Sequence, residues 1–344
     1  MNYVGVDLHK QVISLCVVVQ EASRRRVVIR KTFKCCDVDG IRAFFAELRP
    51  FQVVVEATSS YEWFVQLVEP FADRVLLAHP KKLRIIAEST RKTDKLDAQV
   101  LAEFLALDMI PEAYRPSPRQ RDHRTLVRHR RYLQRRAASV KNKLRAILTR
   151  HNADVRELFS LEGHHYLDQV TLPEADRFVV DQLCEELEHR KKQLQAIDKQ
   201  LLRFAKQGPA AEREAREVLE TIPYVGTVTI DVVLSELGDV RRFRSQKQVT
   251  AYAGLAPGLR ESAGRSKQLA ITKEGSRLLR WALVETAWRL VGRLRRWAFV
   301  YQRIKLRRGA KKAIVAVARR VLCVMVSMLR SGRRYSMASE ILTS

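Results

Sequence analysis

Over its first 110 residues the sequence alternates short apolar segments with amphipathic ones, and this pattern constrains the fold more than any other feature. Apolar runs rich in β-branched residues predict three closely spaced strands, at Tyr3–Leu8, Val12–Val19 and Arg26–Phe33. A helical repeat of apolar residues follows, and two further strands are predicted at Phe51–Val55 and Arg74–Ala78, each followed by a helix. This order is typical of an α/β unit built on a mixed five-stranded sheet.

From about residue 119 the periodicity becomes that of long helices. The segment Arg119–Arg150 carries twelve Lys and Arg residues and a single acid, whereas Glu174–Lys206 balances its charges and repeats apolar residues at spacings that approximate a two-helix coiled coil. A run of positive charge is usually a solvated face, but the near-absence of compensating acids favours a face that binds phosphates, with RNA as the predicted partner. Arg128, Arg131 and Arg135 are the predicted contacts.

Beyond about residue 208 the chain is predicted to be helical to its end. Thr221–Gly226, followed by the helical segment Thr227–Leu237, resembles a helix-hairpin-helix turn, which points backbone N–H groups at a phosphate. Turns containing Pro and Gly also join many helix pairs without such a role. A basic run, Lys305–Lys312, lies between two later helices. We therefore predict three domains, at residues 1–118, 119–207 and 208–344.

The excess of positive charge indicates the class of partner. The chain has 64 Lys and Arg residues against 38 Asp and Glu, a net charge of +26 in 344 residues. Such an excess requires a polyanion or an anionic surface, and its spread over much of the chain favours nucleic acid over a membrane. Five cysteines without a CxxC pair indicate neither a disulfide framework nor a zinc site. The first ten residues lack the apolar core of a signal peptide, so we expect a soluble, cytoplasmic, nucleoid-associated protein.

Four acidic residues fall where a sheet edge could gather them. Asp7 and Glu56 each end an apolar strand, and Asp94 and Asp97 lie three residues apart at the start of a predicted helix, so that they share a face. Each also fits an ordinary role, as a surface carboxylate at a strand end, a helix N-cap or a first-turn acid. As a set, four converging carboxylates repel one another unless divalent cations bind between them. Their hard oxygens select Mg²⁺ or Mn²⁺, and two such ions can assist a phosphoryl displacement.

Short motifs along the chain resemble a known family. They are Gly5–Lys10 (GVDLHK), Val55–Thr58 (VEAT), Lys92–Ala98 (KTDKLDA), Tyr252–Pro257 (YAGLAP), Arg260–Gly264 (RESAG) and Ile271–Gly275 (ITKEG). In this order they resemble the RuvC-like DEDD domain and the C-terminal domain of Piv/MooV-type transposases, the insertion-sequence recombinases described as guided by a bridge RNA. The resemblance spans nearly the whole chain, although the middle helices match in character only.

The resemblance implies a fold and a composite active site. The fold would be an α/β domain with a RuvC/RNase H-like mixed five-stranded sheet, then a basic coiled coil, then an all-α C-terminal domain. Asp7, Glu56, Asp94 and Asp97 would be catalytic and would hold Mg²⁺ or Mn²⁺. A serine of the C-terminal domain would attack the scissile phosphate and form a covalent phosphoserine link to DNA.

Ser262 matches the family's position for that serine, although Ala263 stands where many members have Gly. Ser266 and Ser276 are close enough to be rivals. Without the resemblance, Ser262 would be interpreted as a solvated loop serine, since no histidine lies near it in the sequence. The cations that flank Ser262 would neutralise the phosphate and bind nucleic acid, and they are Arg260, Arg265 and Lys267.

The function that the resemblance implies is site-specific recombination of DNA at insertion-element ends and target sites. Sequence choice would come from a non-coding guide RNA, and no nucleotide cofactor would be needed because a phosphoserine link conserves the phosphodiester energy. Cutting several strands together implies a homodimer that assembles into a homotetramer. Two alternatives remain open: a RuvC-like, metal-dependent junction nuclease without a covalent intermediate, and a non-catalytic nucleic-acid-binding protein whose acids cap helices.

Overall fold

The computed structural model describes residues 1–21, 24–58, 60–86, 94–262 and 265–336, and the side chains of all of these except residues 84–86, 94–97, 259–262 and 265–268. The chain divides into two compact units, Met1–Arg115 and Pro116–Ser344. The boundary between them lies close to the one predicted at residue 118.

The first unit contains the mixed α/β fold that the sequence predicts. Its elements are β1 (Asn2–Leu8), β2 (Val12–Glu21), β3 (Arg24–Lys34), α1 (Val38–Glu47), β4 (Phe51–Glu56), α2 (Tyr61–Val68), β5 (Arg74–Ala78), α3 (Pro80–Ile86) and α4 (Asp94–Ala106). The strands form one sheet in the order β3-β2-β1-β4-β5. Strand β2 is antiparallel to β1 and β3, whereas β4 is parallel to β1 and β5. The predicted five-stranded mixed sheet is confirmed.

Both faces of this sheet are covered, which explains why its central strands are apolar almost throughout. On one face, Val6 and Val55 belong to a buried cluster with Phe45 of α1 and Phe64 of α2. On the other face, Val54 lies in a buried cluster with residues of α4. Because side chains alternate between faces along a strand, residues 5, 7, 54 and 56 lie on the α4 side of the sheet.

The second unit is mainly helical. Its helices are α5 (Pro118–Arg150), α6 (Leu161–Gln169), α7 (Glu174–Lys206), α8 (Ala210–Glu220), α9 (Thr227–Leu237), α10 (Gln246–Tyr252), α11 (Arg277–Arg293), α12 (Arg295–Arg308) and α13 (Ala310–Ser331), with a 3₁₀ turn at Val240–Arg242. Two antiparallel strands, β6 (Pro257–Ser262) and β7 (Arg265–Ile271), form a hairpin between α10 and α11. The sequence analysis expected only helices here, so the hairpin corrects that expectation.

The two long predicted helices, α5 and α7, are present and run antiparallel against each other. Near the end of α5, Arg150 forms a 2.7 Å ion pair with Asp176 near the start of α7, and Arg130 forms a 2.6 Å ion pair with Asp198 farther along. Their apolar residues share a buried cluster with α6. The coiled-coil geometry of this pair and the domain boundary at residue 207 stay predictions.

The C-terminal helices enclose a core of their own. Leu283 of α11, Trp297 of α12 and Val317 of α13 are buried in one cluster with residues of α9. The apolar stretches of this region are therefore used for packing inside the protein. In the part of the chain that the structure describes, no helix has both the length and the apolarity needed to cross a bilayer.

Candidate active site

Two of the predicted acids lie side by side at the carboxyl edge of the sheet. The parallel register pairs Val6 with Val55, so that Asp7 and Glu56 occupy the next step on neighbouring strands. Both positions belong to the face that α4 covers, because Gly5 and Val54, two residues earlier, face that helix. The structure therefore brings together the two strand-end acids that the sequence analysis proposed.

Helix α4 approaches β1 unusually closely, and Gly5 is the reason. A Cβ atom at position 5 would lie 2.0 Å from the carbonyl oxygen of Ala98 and 2.5 Å from the amide nitrogen of Ala102. No residue other than glycine leaves room for a helix backbone at that distance. The close contact fixes the separation between the end of β1 and the start of α4.

The direction of α4 places its first turn at the same edge. Just beyond its last turn, Asp108 forms a 3.3 Å ion pair with Arg74 at the start of β5, so α4 begins towards the carboxyl ends of the parallel strands. Going back from Ala98 to Asp94 spans about 6 Å at 1.5 Å per helical residue. Going from Gly5 to Asp7 spans about 6.6 Å along the strand. The helix start at Asp94 is thus level with Asp7.

The side chains of Asp94 and Asp97 lie outside the described residues. Asp94 is the first residue of α4 and Asp97 lies in the same turn, as the sequence analysis expected for the backbone. The convergence of their carboxylates with those of Asp7 and Glu56 stays a prediction.

The two strand-end acids lie in different surroundings. Asp7 is only 15% exposed and its Oδ2 lies 3.1 Å from Nε2 of His9, which is half exposed. Glu56 is partly buried, and no basic side chain of the described residues forms an ion pair with it. Two neighbouring carboxylates repel each other, and a cation between them would relieve that repulsion.

His79, which follows the predicted strand Arg74–Ala78, also lies at this edge. It follows Ala78, the residue of β5 that pairs with Glu56. Its imidazole Nδ1 is buried and accepts or donates no hydrogen bond within the described part of the chain. The signal in the sequence was its position directly after the third parallel strand, since the carboxyl ends of parallel strands meet at one edge.

The donor set at this edge fits a hard divalent cation. Carboxylate oxygens are the ligands that Mg²⁺ and Mn²⁺ prefer, and two are supplied by adjacent strands while the helix carrying two more begins at the same level. Among the side chains that the structure describes, no group of three or more His, Cys, Asp or Glu is placed to hold a metal ion. The side chains of α4's first turn are not part of that set, so the four-carboxylate site rests on the backbone geometry.

Ser262 is the last residue of β6, beside the turn of the β6–β7 hairpin. The register pairs Ser262 with Arg265. Two residues farther from the turn on each strand, it pairs Arg260 with Lys267. Because paired and alternate positions share a face, these four residues occupy one face of the hairpin. Their side chains lie outside the described residues, so the nucleophile and the three nucleic-acid contacts stay predictions.

The structure gives one rival serine a different role. Ser276 is the N-cap of α11, and its hydroxyl accepts a 3.1 Å hydrogen bond from the amide of Leu279. A capping serine stabilises its helix by about 1 kcal/mol. The side chain of the other rival, Ser266, is outside the described residues.

Two of the three arginines predicted to contact RNA on α5 have partners within the protein. Arg128 donates two hydrogen bonds, of 3.0 and 3.1 Å, to the carboxylate of Glu236, and that bond raises the pKa of Arg128. The guanidinium of Arg131 stacks on Trp281 at 3.6 Å from the ring centre, and its burial lowers its pKa. Arg135 is exposed and has no ion pair within the described residues.

The sequence analysis missed the buried charges to which α5 is tied. On α9, Asp231 is 3.0 Å from Nε2 of the buried His123 and is also bonded by Arg216. Glu236, one turn further, is 3% exposed and binds Arg128. No sequence signal marks these pairs, because Arg128 and Glu236 are 108 residues apart.

Comparison with known proteins finds two transposase family models that match separate parts of the chain. Residues 4–153 match the DEDD transposase family of IS110, and residues 216–302 match the transposase IS116/IS110/IS902 family. The chain is 25% identical to the transposase for insertion sequence element IS1328 of Yersinia enterocolitica, over 83% of each chain. It is 24% identical to the transposase for insertion sequence element IS1111A of Coxiella burnetii, over 97% of this chain and 91% of the other. It is also 24% identical to the pilin gene-inverting protein of Moraxella bovis, over 97% of both.

Proposed function

We propose that this chain, which belongs to the IS116/IS110/IS902 family of insertion-sequence transposases, is an RNA-guided recombinase that cuts and rejoins DNA with a carboxylate site and a serine nucleophile. The observation that carries the proposal is the meeting of Asp7, Glu56 and the first turn of α4 at one sheet edge, at a separation set by Gly5. A fold that placed these acids only as helix caps or surface groups would have no need of that close contact.

The carboxylate site is proposed to consist of Asp7, Glu56, Asp94 and Asp97, which would hold Mg²⁺ or Mn²⁺. When bound, such a cation offsets the negative charge that builds up on the phosphate oxygens during displacement. Asp7 is held in place by His9 and by its buried position at the end of β1. The negative charge of these carboxylates would favour a cation over an anionic ligand.

The proposed nucleophile is Ser262. Its Oγ would attack the scissile phosphorus, so that a serine–phosphate bond forms while one P–O bond of the DNA breaks, and the hydroxyl proton passes to the sugar oxygen that leaves. Attack by a strand hydroxyl on the phosphoserine reverses these changes and rejoins the DNA. The number of phosphoester bonds is conserved, so no nucleotide cofactor is consumed.

The shared face of the β6–β7 hairpin supports the choice of Ser262. Arg260, Arg265 and Lys267 occupy positions on that face, and three cations around a phosphate stabilise the charge of the transition state. Ser276 is a weaker candidate because its hydroxyl caps α11.

The guide RNA is proposed to lie along the solvent-facing side of α5. Within the described residues Arg135, Arg136 and Lys143 are exposed and form no ion pair, so they replace Arg128 and Arg131 as the first contacts to test. Base pairing of the RNA would choose the DNA sequence, and the protein would hold the duplexes by their backbones. A homodimer that assembles into a homotetramer would hold two duplexes together.

The pilin gene-inverting protein is named for inversion of a DNA segment, and its similarity extends along nearly the whole of this chain. Inversion requires that cut strands be rejoined in a new order. That relative therefore supports strand exchange over simple hydrolysis for the present protein.

The decisive test is a covalent protein–DNA adduct. RNA that co-purifies with the full chain is sequenced to identify the guide, and the complex is incubated with Mg²⁺ and end-labelled DNA of the element's ends. We expect the wild type and Ser266→Ala to give an adduct that survives denaturation, and Ser262→Ala to bind both nucleic acids without forming one.

Other outcomes select other functions. Cleaved DNA without an adduct in the wild type would indicate the junction nuclease. An adduct that persists in Ser262→Ala would assign the nucleophile to another serine. Binding without any Mg²⁺-dependent cleavage would indicate a non-catalytic nucleic-acid-binding protein.

A further inference from the structure

The turn between α12 and α13 is a projecting part of the second unit. All eight residues of Lys305–Lys312, which we call the basic tip, are exposed. Since an α-helix has 3.6 residues per turn, four consecutive exposed residues at the end of α12 leave no side of that turn packed on the described protein. Gly309 joins the helices at φ 82°, with open space where a side chain would lie. The tip therefore extends away from the core of this unit.

The charge of the basic tip is of one sign. Five of its eight residues are Lys or Arg and none is acidic. Over the longer stretch from the start of α12, residues 295–312, eight residues are basic and none is acidic. None of the five cations of the tip forms an ion pair in the described part of the chain. Such a surface, on a chain with a net charge of +26, attracts a polyanion.

An apolar side chain stands in the middle of these cations. Leu306 is 87% exposed, the highest value among the large apolar side chains that the structure describes. Phe299, two turns earlier on the same face of α12, is also exposed. An exposed leucine among positive charges does not belong to a protein core. It does match the apolar side chains that insert between base pairs of DNA.

We propose that the basic tip is a DNA wedge: Leu306 inserts from the minor groove between two stacked base pairs, and the neighbouring cations hold the flanking phosphates. Insertion of an apolar side chain partly unstacks the step and kinks a DNA duplex towards the major groove. The proposed occupant is duplex DNA, because apolar wedges of this kind act on DNA from its minor groove. An unstacked step is where the strands of a duplex separate most easily, which a recombination complex requires. The wedge rests on the DNA partner of the proposed function, and on neither the guide RNA nor the serine.

The test measures DNA bending by the full-length protein without added RNA. A duplex of about 30 base pairs, far shorter than the persistence length of roughly 150, carries a donor and an acceptor dye at its ends. We expect saturating wild type to shorten the distance between the dyes. Leu306→Ala is expected to bind with an affinity reduced by less than about tenfold, since phosphates supply most of the affinity, and to leave the duplex straight. Leu161→Ala removes a leucine that is 81% exposed at the start of α6, and is the matched control that should bend DNA like the wild type.

A second variant separates the wedge from the phosphate contacts. Replacing Lys311 and Lys312 together by Ala should lower the slope of log K against log[salt] by about 1.8, at about 0.9 for each phosphate that is no longer neutralised, and still allow bending at saturation. Bending by Leu306→Ala equal to that of the wild type would overturn the proposal, as would a wild type that binds the duplex without bending it. A Leu306→Ala variant that bends DNA normally but changes the sedimentation of the protein would make the tip a contact between copies instead. Because no adduct is measured, these results are independent of the test of Ser262.

Discussion

Two pairs of carboxylates in this protein have different surroundings. Comparing them separates acids that hold helices together from acids proposed to form a site. On α9, Asp231 and Glu236 are buried and each is bonded by an arginine. At the sheet edge, Asp7 has a histidine beside it and Glu56 has no basic partner among the described residues. With 64 Lys and Arg in the chain, basic partners are abundant, so Glu56 is notable for forming no ion pair within the described residues.

The two pairs also differ in what they hold together. The acids of α9 join that helix to α5 and α8: Asp231 is bonded to the buried His123 and to Arg216, and Glu236 to the more exposed Arg128. The acids at the sheet edge are instead placed by the backbone register and by Gly5. We therefore expect the first pair to contribute to stability and propose that the second contributes to reactivity, and substitutions should separate these two effects.

The largest expected effect is the loss of activity in Glu56→Gln. This change keeps the shape of the side chain and removes its charge, so DNA strand cleavage should fall at least about a thousandfold, equivalent to about 4 kcal/mol in the barrier. The free energy of unfolding should be unchanged or higher, because the repulsion with Asp7 is removed. Cleavage of labelled DNA and urea denaturation measure the two quantities. Cleavage at the wild-type rate would make Glu56 an ordinary strand-end carboxylate.

Glu236→Gln is expected to have the opposite profile. Glu236 is 3% exposed, and its charge faces both the largely exposed Arg128 at 3.0 Å and the partly buried Arg124 at 4.0 Å, so its loss should cost about 2 kcal/mol in the unfolding of the helical unit. The midpoint of urea denaturation, followed by far-ultraviolet circular dichroism, reports the change. The double variant Glu236→Met with Arg128→Met should recover part of the loss, since the charge of Arg128 is removed together with its anion. A cost below about 1 kcal/mol would contradict the structural role of this pair.

A smaller effect should divide the arginines of α5. Arg131→Ala removes the stacking on Trp281 and should lower stability by about 1–2 kcal/mol. Arg135→Ala should leave stability unchanged and lower the slope of log K for RNA against log[salt] by about 0.7 to 0.9. Equal effects of the two variants on that slope would mean that Arg131 also reaches the RNA.

The smallest effect concerns the acid side of the stability curve. The hydrogen bond from His151, together with the charge of Arg150, lowers the pKa of Asp176 at the start of α7. A carboxyl group with a lower pKa in the folded state adds stability above its unfolded pKa, about 3.9, and loses it as the pH falls through the folded value. Asp176→Asn should therefore show a smaller loss of stability than the wild type as the pH falls from 5 through the lowered pKa of Asp176 in the folded state.

Asp181→Asn is the matched control for this measurement. Asp181 lies on the same helix, is more exposed, and has a longer ion pair of 3.5 Å with Arg177. Urea midpoints at a series of pH values should be flatter for Asp176→Asn than for this control. Parallel curves for the two variants would contradict the assignment to Asp176.

The sheet and its acids were predictable because their signals are local. Runs of β-branched residues identify the strands in the sequence. Parallel neighbours bring their carboxyl ends to one edge of the sheet, so Asp7 and Glu56 could be placed together before the register was known. The β6–β7 hairpin was missed because Arg260–Lys267 is polar on both faces and lacks the apolar alternation that marks a strand. The partners of Arg128 and Arg131 within the protein were not predictable, because a charge run does not reveal which of its members have partners more than a hundred residues away.

The need for glycine at position 5 affects how an active protein can be identified from its sequence. The distance between the end of β1 and the start of α4 is set by a missing methyl group, since a Cβ there would overlap the backbone at Ala98. An alanine at this position would leave every acid of the sheet edge in the chain and every strand in the sheet, yet it would force the helix outward. A protein with this change would retain all four acidic residues in its sequence, but the start of α4 would lie farther from the end of β1. An intact acidic motif alone therefore does not identify an active element.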